Sequence, residues 1–156
     1  MKKTLYKGAR DEVRALSAYV KLVRASESVS ARIHRHLLET GLSISQFGVL
    51  EALYHLGPLN QSGLAKKVLR SAGNITMVID NLEKRDLVKR ERNEKDRRSY
   101  AVRLTVAGRK LIGSIFPRHA VKIMKEMNSL SSAEQEALGR LCRKLGLKKK
   151  SRGEED

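Results

Sequence analysis

The spacing of apolar residues changes period twice along this chain, and that change restricts the fold more than any other feature. Phe47, Leu50, Leu53 and Tyr54, then Leu64, Ala65 and Val68, then Ile75, Val78, Ile79 and Leu82 recur at helical intervals. Residues 87–92 and 100–104 alternate instead, with Tyr100, Val102 and Leu104 on one side of an extended chain, and a charged loop joins the two stretches. Helical spacing returns after Thr105 through Leu111, Ile112, Ile115, Phe116, Ile123, Met124 and Met127. Helices followed by a hairpin and then by more helix is the order of a winged helix-turn-helix, a mainly α fold with a small β-hairpin.

Start and stop signals place the boundaries. Val13, Leu16, Val20, Val23, Ser26, Ser30, Ile33 and Leu37 form one stripe of a long helix over residues 11–40, and Gly41 stops it. Ser43 with Gln46, and Ser131 with Glu134, match the capping box, in which a hydroxyl and a side chain three residues on satisfy each other's backbone N–H groups. Asn60 caps a short helix, and Ser71 opens the next, which runs to about Arg85. Pro117 should kink or break the helix that follows the hairpin. Leu138, Leu141 and Leu145 give the last helix its apolar face. The chain divides into an N-terminal helical segment at 1–42, a winged lobe at 43–104, linker and C-terminal helices at 105–147, and a polar, disordered tail at 148–156.

Charge points to a partner. Thirty-three Lys and Arg against seventeen Asp and Glu leave a formal +16, which opposes compaction and suits a polyanion. Residues 84–110 hold eleven Lys or Arg and four Asp or Glu, directly after the helix that Ser71 opens. That helix turns Ile75, Val78, Ile79 and Leu82 inward and carries Gly73, Met77, Asp80 and Lys84 opposite, flanked by Asn74, Thr76 and Asn81. Amides can bond base edges, Met and Thr methyls can meet a thymine methyl, and Gly allows close approach. Asp96 and Arg98 are two apart, so on an extended chain they share a side, and the carboxylate can hold the guanidinium for a narrow minor groove. Arg97 faces the other way, towards phosphate, and Arg90 and Arg92 extend that track.

Other chemistries have little support. The single Cys142 rules out an intrachain disulfide and fits a reducing compartment; beside Leu138, Leu141 and Leu145 it reads as a buried interface thiol. The four His are scattered, and His34 and His36, two apart on a helix, point to different faces, so no metal or other cofactor is expected. No nucleophile set, phosphate loop or carboxylate pair stands out, so an enzyme is not expected. No apolar run is long enough to span a membrane, and the N-terminus lacks a secretory core, so the expected location is cytoplasmic.

The stretch from Asp96 to Thr105, DRRSYAVRLT, resembles the wing signature D-x-R-x-x-x-V-x-L-T of the MarR family of bacterial regulators. SAGNITMVIDNLEKRDLVKRE is similar to that family's helix-turn-helix and LTVAGRKLI to the start of its linker helix. The resemblance implies a sequence-specific transcriptional regulator, a ligand-responsive repressor in the usual case. It would bind a pseudo-palindromic double-stranded operator as a homodimer, joined through its N- and C-terminal dimerisation helices. Ser71, Gly73, Asn74, Thr76, Met77 and Asn81 would face DNA with Arg90 and Arg97; Arg98 would enter the minor groove, positioned by Asp96. Relatives often take a phenolic or other small aromatic effector, for which Ser26, Ser30, His34, Phe47, Tyr54 and His119 could line a pocket. Met77 stands where many relatives carry Arg, and Asp86 replaces the usual Gly. A non-specific architectural DNA-binding protein, or a module for an acidic protein partner, are the other readings of the same charge.

Overall fold

A computed structural model of the chain describes residues 6–68, 72–92 and 100–147. The expectations for Ser71, Asp96, Arg97, Arg98 and the tail lie outside these residues. The elements are α1 (Arg10–His34), a 3-10 helix (Arg35–Thr40), α2 (Ile44–Leu56), β1 (Leu59–Asn60), α3 (Gln61–Val68), α4 (Ala72–Lys84), β2 (Val88–Arg92), β3 (Tyr100–Leu104), α5 (Val106–Met127) and α6 (Ser132–Gly146). Ser43 and Ser131 form their capping boxes, Asn60 Oδ1 accepts from Gly63 N at 2.8 Å, and Thr105 Oγ1 accepts from Gly108 N at 2.9 Å.

The core lies in the winged lobe and the start of α5. Phe47, Leu50, Leu53, Leu64, Ile75, Ile79, Leu82, Val88, Val102 and Ile112 are fully buried there. The sheet has three strands rather than two, in the order β1-β3-β2, all antiparallel. The added strand pairs Leu59 with Val102 and Asn60 with Ala101. Two residues are too few to carry an alternation, so no sequence pattern marks β1.

Two helix expectations change. The first helix does not run to Thr40 as α-helix; it tightens to 3-10 at Arg35. His36 Nδ1 lies 2.7 Å from Ile33 O across the junction, and both residues are buried. Thr40 Oγ1 then donates to Leu37 O at 2.7 Å, and Gly41 closes the segment at φ +66°. Pro117 does not break α5, which continues through it. Ile112, Ile115 and His119 are buried on either side, so packing holds the helix across the missing N–H.

Helix α4 ends in a Schellman turn: Leu87 N donates to Leu82 O at 3.0 Å and Asp86 N to Glu83 O at 2.9 Å. The turn forces Asp86 to φ +53°, the one positive φ among the described non-Gly residues. A side chain is disfavoured there, so Asp86→Gly should raise stability by about 0.5–1 kcal/mol. A melting temperature at or below that of the parent protein would contradict this.

The apolar stripe of α1 is largely uncovered. Ile33 alone is buried in that helix, while Leu16, Tyr19 and Val20 are exposed. Helix α6 buries none of its residues, and Leu141 and Leu145 are more than half exposed. Cys142, expected to be a buried interface thiol, is exposed on the single chain, as is every residue of α6 from Leu138 to Gly146.

Candidate nucleic-acid interface

Helix α4 divides as its sequence suggests. Ile75, Val78, Ile79 and Leu82 are buried, while Gly73, Asn74, Met77, Asn81 and Lys84 are exposed and Thr76 is half-buried. Met77 is 60% exposed. Gln61 at the start of α3 donates from Nε2 to Thr76 Oγ1, which ties the two helices of the helix-turn-helix. Arg85 Nη1 donates to Gly41 O at 2.9 Å and fixes the C-terminal end of α4 against the end of the 3-10 helix.

Arg90 is not where charge counting placed it. Its charge suggests a phosphate-facing track, but it bonds Asp80 and Glu83 of α4. The register explains this. Val88 pairs with Leu104 and Arg90 with Val102, and Val88 and Val102 are buried, so Arg90 shares the inward face of the sheet. Partial burial opposes its charge, but the hydrogen bond to Asp80 and the Glu83 carboxylate raise the guanidinium above its ordinary pKa. On the outward face Glu91 accepts from Lys89 at 2.6 Å and from Arg103 at 3.0 Å. The Lys89 hydrogen bond, with Arg103 alongside, holds the Glu91 carboxyl below its usual range.

A second cluster lies where α1, the 3-10 helix, α2 and α5 meet. The histidines expected to be scattered converge there. The His119 ring centroid is 5.5 Å from that of His34, 5.2 Å from that of His36 and 4.5 Å from that of Phe47. His34 ends α1 and His36 lies in the 3-10 turn, and both rings reach that of His119. Ser30 Oγ lies 3.1 Å from His34 Nδ1, so Ser30, His34, Phe47 and His119 lie together. Tyr54 adjoins through Phe116, at 6.5 Å between ring centroids, whereas Ser26 is exposed. His36, Glu51, His55 and Phe116 were missed. Phe47, Glu51 and His55 repeat every four residues along α2, and that interval was the available signal. Burial raises the Glu51 pKa, against the pull of His55 and His34. Burial, then repulsion from His34 and His36, lowers the His119 pKa to about 4. His36 Nε2 and His119 Nδ1 are buried without hydrogen-bond partners. Among the described residues no group of His, Cys, Asp and Glu is arranged to hold a metal, and no helix is long and apolar enough to cross a membrane.

The sequence profile of the MarR family matches residues 42–100. The HTH-type transcriptional regulator YkoM of Bacillus subtilis (strain 168), itself uncharacterised, is 37% identical over 134 residues, 86% of this chain and 87% of that protein. The HTH-type transcriptional regulator MhqR of the same organism is 36% identical over 139 residues, 88% of this chain and 94% of that one. Among solved structures, BpsR of Bordetella bronchiseptica superposes with a TM-score of 0.73 at 28% identity, covering 81% of this chain and 90% of that one. These relatives are regulators and not enzymes. With the winged lobe and the outward face of α4 in place, the chain belongs to the MarR family of DNA-binding transcriptional regulators.

Proposed function

We propose that the protein is a ligand-responsive repressor that binds a pseudo-palindromic operator as a homodimer. Helix α4 enters the major groove, where Asn74 and Met77 read bases, and Arg98, positioned by Asp96, enters the flanking minor groove. The observation that carries this reading is the outward face of α4, where amide, methyl and glycine positions are exposed beside a strongly basic segment. The uncovered apolar faces of α1 and α6 support a second copy as their cover. A two-fold pair would space half-sites by about 10 bp or a multiple of it. The solved BpsR structure concerns DNA binding regulated by 6-hydroxynicotinic acid. By analogy, the histidine and aromatic cluster around His119 is the site proposed here for a small aromatic or phenolic effector.

Selection of bound duplexes from a random pool tests this reading. An inverted repeat should emerge, and Arg98→Ala should weaken binding to it by about tenfold or more with the fold intact. Asn74→Ala should shift base preference at one position of each half-site. Enrichment of no sequence, with binding that falls steeply with salt, would favour the architectural alternative.

A further inference from the structure

Two carboxylates stand on the helix assigned to DNA. Asp80 lies on the stripe of Gly73, Met77 and Lys84, and Glu83 follows within a turn; their side chains are 45% and 38% exposed. A carboxylate brought against phosphate is repelled, and the repulsion grows as water leaves the interface. Arg90 meets both. Its Nη2 donates to Asp80 Oδ1, its Nη1 to Glu83 Oε2, and its backbone N–H to Glu83 Oε1 at 3.1 Å. The partners are ten and seven residues away on another element, so the fold rather than helical proximity brings them together. At 26% exposure Arg90 is the least accessible of the three, set on the inner face of the sheet with its donors turned to α4.

We propose that Arg90 supports DNA binding from behind the helix, by masking Asp80 and Glu83 so that α4 can lie against phosphates, and that it makes no phosphate contact itself. It is a positioning residue acting through two carboxylates. The proposal rests on α4 being the DNA-facing helix.

Binding is measured by fluorescence anisotropy on a labelled duplex carrying the sequence selected with the wild-type protein, and circular dichroism melts check the fold. Arg90→Met should weaken binding by about tenfold or more, because two bare carboxylates then face the duplex. Adding Asp80→Asn and Glu83→Gln to Arg90→Met should return affinity to within about threefold of wild type, since the three substitutions together remove the repulsion as well as its mask. A lost phosphate contact or a lost clamp between β2 and α4 would not be restored that way. The double variant Asp80→Asn, Glu83→Gln should bind at least as tightly as wild type, and it decides the matter if Arg90→Met fails to fold. Unchanged affinity in folded Arg90→Met, a triple variant as weak as Arg90→Met, or a weakened double variant each overturns the mask. A wild-type protein that binds no duplex overturns the functional reading and the mask with it, whereas the other outcomes leave that reading standing.

Discussion

Replacing Gly108 with Ala will destabilise the protein by about 3 kcal/mol or more, near the upper range for a single added methyl. A Cβ on Gly108 would stand 1.9 Å from the Leu87 carbonyl oxygen and 2.8 Å from its carbon. Both atoms are backbone and cannot rotate aside. The same oxygen accepts from Thr105 N at 3.2 Å, and Thr105 Oγ1 donates to Asp86 O at 2.6 Å, so moving the loop would disrupt two hydrogen bonds at once. Gly139 is the control. It too lies within a helix, but a Cβ there meets nothing within 4 Å, and Gly139→Ala should gain roughly 0.5–1 kcal/mol from helix propensity. Opposite signs in urea unfolding of the two variants are expected; a Gly108→Ala protein as stable as its parent would mean that α5 does not seat against Leu87 as described.

The second large effect is loss of stability in mild acid. His119 has its pKa lowered from 6.5 to about 4, so the unfolded chain takes up a proton on this residue more readily than the native one. Stability from this source is complete above about pH 6.5 and declines as pH falls towards 4, where the loss levels off. The full span corresponds to roughly 3 kcal/mol as an upper figure for one group. The titratable groups acting on it are His34 from α1 and His36 from the 3-10 helix, while Glu51 of α2 is acted on by His55 and His34. His119→Phe should flatten the pH profile of the unfolding free energy between 6.5 and 4. A slope as steep in that variant as in the parent would assign the acid sensitivity to other residues.

Much of the architecture was legible because it depends on local rules. Ser43, Asn60 and Ser131 declare helix starts through bonds made within three residues, and the inward face of α4 repeats at the helical period. What escaped depends on contacts distant in sequence. Strand β1 pairs along the edge that β3 offers, and the 3-10 turn after His34 is where His36 and Leu37 bury. Arg90 is the instructive case. Its alternation with buried Val88 already assigns it to the inner face, but its charge invited a solvent-facing reading. The histidines looked unrelated because a uniform α-helix separates His34 from His36, and nothing in the sequence brings His119 to either.

The seat of α5 against the loop after α4 leaves backbone touching backbone, with nothing compressible between. Farther along α5, Arg118 pairs with Glu39 at 2.8 Å and Glu126 with Arg32 at 2.7 Å. A rod anchored in this way does not absorb a push; it tips. Over its length of roughly 30 Å, a tilt of about 4° displaces one end by about 2 Å relative to the other. In the symmetric pair proposed above that lever would act twice, and a displacement at the proposed effector site around His119 would reach both α4 helices.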